Sequence, residues 1–371
     1  MKKLQAKNIQ FPKDKNADFV RELRRRVDQY FNEQNISKHA NFPMIVKSFS
    51  MFAMLLIPYF ILISGVVGSI WLAYGLWFIM GLGVAGIGMS IMHDANHGAY
   101  SKNKFLNRLI GRTLDAVGGN ATNWKIQHNL LHHTYTNIHG LDSDIENGGM
   151  MRFTTHQKRL GIHKYQHFYS WILYGFLTVQ WMLYKDFLQM IEFRKKNLHK
   201  AMSRKFWQAY TIMVLGKIFY YSYMVVIPLL VLPFAWWQIL LGVFIMQFTT
   251  GFTLATIFQL AHVMPSTQFP LPDDKQSMEH NWMVHQLATT TNFARNNKLI
   301  TWYVGGLNFQ VEHHLFPNIC HIHYNKIAGI VEETAKEFNI PYNDLPSLWD
   351  ALKEHAKLLK ELGRKELNTA M

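Results

Sequence analysis

Cysteine is almost missing from this chain: Cys320 stands alone among 371 residues, so no internal disulfide forms and the polar parts need not face an oxidising compartment. The start does not read as a secretory leader, because about forty polar, charge-rich residues precede the first apolar run, where a leader places its short apolar stretch almost at once. Neither a repeat of solenoid period nor a low-complexity linker occurs. Basic runs lack flanking aromatic RNA-binding signatures, so the formal net charge of +14 reads as a membrane-topology signal, with no nucleic-acid partner expected. Lys and Arg are absent from two short links, 65–69 and 228–237, each set between long apolar runs.

Those runs are the main thing present. The apolar fraction of 49% is concentrated in stretches too long and too uncharged for ordinary amphipathic helices. Spans are expected at about 44–67, 70–92, 206–232 and 234–261, each near the roughly 20 residues that cross a bilayer core. The uncharged links make these spans two helical hairpins, with Trp236 and Trp237 suited to an interfacial belt. The expected fold is therefore an all-α integral membrane protein, multi-pass, with four transmembrane helices as two hairpins under a cytoplasmic helical cap. The Lys and Arg bias puts both termini and the central polar segment in the cytoplasm.

Along the chain this gives a basic N-terminal segment (1–43), a membrane domain (44–325) and C-terminal cytoplasmic helices (326–371). In the first, Phe19, Leu23, Val27, Tyr30 and Phe31 mark the apolar face of a helix expected to dock on the rest of the protein. Residues 105–117 form an amphipathic piece suited to the membrane surface, and 170–184 read as interfacial or re-entrant. Amphipathic patterns recur at 325–339 and 347–362.

Seven of the 19 histidines lie in tight groups on one expected side of the membrane. His93 and His97 follow the second span, and His128, His132 and His133 lie in the central segment. Gln310, His313 and His314 stand at i, i+3 and i+4 beyond the fourth span, on one face of a helix. One such pair is usually a surface or hydrogen-bonded feature; three groups on one side point to metal. Imidazole suits iron, zinc, copper and nickel, and eight side chains exceed what one ion uses, so two ions are implied in the cap. Asp94, Asp142, Asp144 and Glu312 are candidates to orient ring N–H groups. His262, at the exit of the fourth span, is either a further ligand or water-facing. His139, His156, His163, His167, His199, His280, His285, His321, His323 and His355 lack the spacing and read as surface or hydrogen-bonded residues.

The order of an H-x-x-x-H box, an H-x-x-x-H-H box and a Q-x-x-H-H box, interleaved with two apolar hairpins, resembles the membrane fatty acid desaturases. Gln310-Val311-Glu312-His313-His314-Leu315-Phe316-Pro317 is similar to the third box of the front-end acyl desaturases, where glutamine replaces the first histidine. Trp124, Thr136-Asn137, Asp142-Ser143-Asp144 and Gly305-Gly306-Leu307-Asn308 extend the likeness over roughly residues 45–325. The resemblance implies a di-iron enzyme that uses O2 and two electrons to convert an acyl chain to a cis alkene. It carries the iron ligands onto His93, His97, His128, His132, His133, Gln310, His313 and His314, with His262 as an additional one. The implied substrate is acyl-CoA, acyl-lipid or acyl-ACP. No His-Pro-Gly-Gly haem motif of a fused cytochrome b5 occurs, so a separate donor such as ferredoxin or cytochrome b5 is expected at the basic cytoplasmic face. The second box is one residue longer than the common H-x-x-H-H form.

Two other readings compete. An acyl or sterol hydroxylase or ketolase uses the same site, and the Gln-type third box favours desaturation over it. A histidine-rich metal transporter or zinc-dependent membrane receptor forms the other class; transport predicts ionisable ligands near the bilayer midplane, and these spans contain almost none.

Overall fold

The computed structural model describes residues 9–146, 148–201 and 205–364. It is helical, and among the described residues the only sheet is a parallel pair of two-residue strands, Asn292–Phe293 and Asp344–Leu345. Four helices there are long and apolar enough to cross a membrane: Phe42–Ile63, Ile70–His97, Phe206–Val231 and Trp236–His262. The first ends at Ile63, four residues earlier than its hydropathy run and just before Gly65 with φ +80°, and the second continues through the first histidine pair. Segment 170–184 is not a short isolated piece. It belongs to Gln166–Gln180, which runs through a wide π-turn, Trp181–Lys185, into Asp186–Lys195.

The chain divides into two compact units, 40–126 with 171–256, and 1–39 with 127–170 and 257–371. In the first, Asn41 caps Phe42–Ile63 by accepting the Met44 N–H at 3.3 Å, with a proline just inside the helix, where the missing N–H costs nothing. Gly83 lets the second span approach closely, since a Cβ there would meet the Leu55 amide at 2.9 Å. Phe60, Trp71, Leu215, Ile218 and Phe219 remain exposed, which suits a lipid-facing surface. Lys217 is a charge inside an apolar span that hydropathy alone passes over. It is buried, pairs with Asp186 at 2.6 Å, and donates to the carbonyls of Gly118 (2.7 Å) and Trp181 (2.6 Å), so all three ammonium hydrogens are used.

In the other unit the N-terminal helix, Ala17–Glu33, buries Phe19, Leu23, Val27 and Phe31 in a cluster with Ile327, Val331 and Ala335 of Tyr324–Glu337 and with Phe309, Val311 and Leu315. Arg26 pairs with Glu337 at 2.6 Å across this contact. The last helix among the described residues, Leu348–Leu362, starts on the Ser347 side chain, and buried Arg152 donates to the Leu362 carbonyl at 2.7 Å, satisfying one of the carbonyls every helix end leaves open.

Candidate metal centre

The first-box residues His93 and His97 lie in the last turns of Ile70–His97, after a π-turn at Ile87–Ile91, and Gly98 in the left-handed region ends the helix. Their rings are 4.8 Å apart and lie edge-on to Trp124, at 5.5 and 5.6 Å. Asp94 does not orient the His93 ring, because the carboxylate is 4.0 Å from Nδ1 and outside hydrogen-bond reach.

The second box is wound as a π-helix, Lys125–His132, and only then returns to an α-turn. A π-helix repeats at i, i+5, so the extra residue of this box is absorbed in the wider turn. Consequently His128 meets His133, with Nε2 atoms 3.2 Å apart, while His128 and His132 stack at 5.2 Å.

The third box is α-helical, Gln310–Leu315, as its spacing predicts. Its two histidines share one group, and His314 also enters a second. His314 groups with His132 and His262, their ligand atoms within 4.8 Å of one another, and His313 groups with His133 and His314 under the same limit. All of these residues are buried. Gln310 Nε2 lies 3.1 Å from His262 Nε2. His262 is thus no water-facing residue at a helix exit; it is buried in the histidine group.

Partners behind the rings set the tautomers. His132 Nδ1 lies 3.1 Å from both Asp142 oxygens and 3.5 Å from Asp144, and Asp142 is itself held by the backbone N–H groups of Asn137 and Asp144, each at 2.9 Å. Burial pushes the His132 imidazole down, but the two carboxylates override it and raise it to about 9. His262 donates through Nδ1 to the Thr289 carbonyl at 3.3 Å, and His314 through Nδ1 to Gln286 Oε1 at 2.8 Å. Burial, then the neighbouring His133, His262 and His132, holds His314 well below its ordinary value, so it stays neutral. His313 Nδ1 is 3.2 Å from the Tyr324 hydroxyl.

Glu312 orients no ring. Its carboxylate accepts from Asn292 Nδ2 (2.8 Å) and the Tyr342 hydroxyl (2.9 Å), and Asn292 Oδ1 accepts the Val311 N–H at 2.9 Å, so this group braces the third-box helix. The burial of Glu312 raises its carboxyl to about 7 against those hydrogen bonds. His285 and His355 are buried and hydrogen-bonded, to the carbonyls of Thr136 (2.9 Å) and Val263 (2.8 Å). The side chain of His199 lies outside the described residues. Spacing did not single out Trp282, Gln286 and Thr289, which share an edge of Trp282–Thr289 at i, i+4 and i+7. The indole of Trp282 donates to the His133 carbonyl at 3.0 Å. Their sequence signal is a polar residue every helical turn in an otherwise apolar, buried helix.

The donor set fits metal. Among the described residues His132 Nε2, His314 Nε2 and Gln310 Oε1 are buried without a hydrogen-bond partner, which is costly for polar atoms unless something binds them, and each Nε2 belongs to a ring whose Nδ1 faces an outer acceptor.

Fold and site together define a helical membrane protein with a buried polyhistidine centre. The family described as Fatty acid desaturase matches residues 69–346. The chain is 36% identical over 364 residues to the sn-1 linoleoyl-lipid 6-desaturase of Synechocystis sp., covering 97% of this chain and 99% of that protein. It is 36% identical to the protein of the same description from Arthrospira platensis, over 94% of this chain and 93% of the relative. To the acyl-lipid (8-3)-desaturase of Physcomitrium patens it is 35% identical, over 98% and 75%. The chain belongs to the fatty acid desaturase family, in its front-end-like branch. It is an oxidoreductase that desaturates fatty acyl chains.

Proposed function

We propose that the protein introduces a cis double bond into an acyl chain esterified in a membrane lipid, at a di-iron centre. The observation that carries this reading is the convergence of His132, His262 and His314, buried imidazoles whose ligand atoms lie within 4.8 Å of one another and whose Nδ1 atoms are committed to outer partners. Lipid-bound acyl groups are favoured over acyl-CoA and acyl-ACP because the relatives are described as acyl-lipid and linoleoyl-lipid desaturases. The reaction balances as a CH2–CH2 unit losing two hydrogens while O2 becomes two waters. Two electrons come from the acyl chain and two from a separate carrier such as ferredoxin or cytochrome b5, with two protons taken up from solvent.

The iron ligands are assigned to His93, His97, His128, His132, His133, His262, Gln310, His313 and His314, by the three boxes and by the grouping of His262 with His132 and His314. Iron supplies the O2-dependent redox chemistry that an unactivated C–H bond demands and that acid–base side chains cannot provide. The protein's own residues keep the site dry, and at His132, His262 and His314 the outer acceptors hold Nδ1 so that the opposite nitrogen is the one offered to the metal. Two hairpins carry a cytoplasmic cap, with both termini and the histidine boxes on the cytoplasmic side; the charge-free links support this arrangement. Domain limits follow as 1–43, 44–325 and 326–371.

The test is expression in a host with a compatible electron donor, followed by gas chromatography with double-bond location on separated lipid classes, and metal analysis of the purified protein. Two irons per chain and a new double bond in esterified acyl chains are expected. One zinc with an unchanged profile, or a hydroxylated or oxo product, overturns the reading.

A further inference from the structure

We infer that Gln286 is a positioning residue that selects the metal-binding tautomer of His314 and ties the second box to the third. This rests on the di-iron reading above. Gln286 is fully buried on Trp282–Thr289, and its Oε1 lies 2.8 Å from His314 Nδ1 and 2.8 Å from Thr136 Oγ1. Thr136 Oγ1 is also 2.7 Å from the carbonyl of His132, so its one hydrogen is shared between the two carbonyl oxygens. A carboxamide oxygen can only accept. His314 therefore carries its proton on Nδ1, and its lone pair falls on Nε2, the buried atom that has no hydrogen-bond partner. Were the amide turned over, its NH2 would face Nδ1. The ring proton would then move to Nε2, where it blocks a cation.

The acceptors behind the rings of one group are unequal. His132 has carboxylates, Asp142 and Asp144; His314 has a neutral amide; His262 has a backbone carbonyl. A carboxylate draws the N–H proton more strongly and makes the opposite nitrogen the better donor. Gln286 thus sets His314 as the weaker donor while fixing which nitrogen binds.

Two variants separate this role from simple packing. Gln286→Glu is near-isosteric, keeps an acceptor whichever way it turns, and gives up only an NH2 group that has no hydrogen-bond partner among the described residues. Gln286→Leu removes the acceptor. Iron release from the purified protein to a chelator is followed in both, together with the visible bands of the cobalt-substituted forms. Gln286→Leu is expected to release metal roughly 10–100-fold faster than the parent protein. Gln286→Glu is expected to release it more slowly and to shift the cobalt bands. If Gln286→Glu loosens the metal, or if both variants match a parent that holds two irons, the proposal is overturned. If the parent itself holds no iron, the di-iron reading fails instead.

Discussion

At His132 a single ring is asked to do two opposite things, and the residues around it decide the outcome. Burial disfavours its cation, yet Asp142 and Asp144 raise it to about 9, so in the metal-free protein it carries a proton that a cation must displace. His132→Ala should abolish desaturation while leaving membrane insertion intact, checked by acyl-chain analysis alongside membrane fractionation. Asp142→Asn keeps an acceptor but loses the charge, and the expected result is roughly 10–100-fold weaker iron retention against a chelator.

His355 gives a pH dependence away from the boxes. Burial lowers it from 6.5 to about 4, while its Nδ1 donates to the Val263 carbonyl. The unfolded chain therefore takes up a proton that the folded one refuses as pH falls from 6.5 toward 4. Stability is lost over that window, on the order of 3 kcal/mol for a fully buried ring, and the loss levels off below it. The thermal midpoint in detergent should drop across this range in the parent protein, and His355→Gln should flatten the drop.

Among the elements, the π-turns matter most for placing the histidines. An α-helix would set His128 over His132 alone; the π-wound Lys125–His132 keeps that stack and also sets His128 against His133, so the longer box still delivers its rings to one place. The helix Trp282–Thr289 has no box of its own, but it meets His133, His262 and His314 through one edge and works as the frame behind them. Glu312 acts at the same scale, joined through Tyr342 to Arg295, whose guanidinium also pairs with Asp344 at 2.8 Å and Glu332 at 3.0 Å. In the unit of residues 40–126 and 171–256 the equivalent clamp is Lys217 with Asp186. Asp186→Ala strands a buried ammonium and is expected to cost roughly 3–5 kcal/mol, seen as a lowered thermal midpoint in detergent. Replacing both residues by leucine should recover most of that loss, because no uncompensated charge remains.

For the whole molecule, the arrangement of spans makes a direct prediction about sidedness. With Cys320 replaced by serine, single cysteines placed at Gly68 or Ala235 should react with a membrane-impermeant maleimide from outside intact cells. A cysteine at Lys15 or Lys357 should react only after lysis. Labelling of the termini from outside would reverse the orientation.

The four apolar runs and the three histidine boxes were legible in the linear chain because hydropathy and i, i+3 or i+4 spacing are local properties, readable without knowing what lies opposite. The amphipathic face of Ala17–Glu33 and both C-terminal helices were legible for the same reason. Sequence alone therefore determined that this is a helical membrane protein with polyhistidine chemistry. Only the tertiary structure decided that His262 joins His132 and His314, that Glu312 turns away from the rings, and that Gln286 and Thr289 stand behind them. Each of these facts is a hydrogen bond or close approach between residues far apart in the chain. Burial makes such partners compulsory, while spacing along the backbone carries no record of which distant group will supply them.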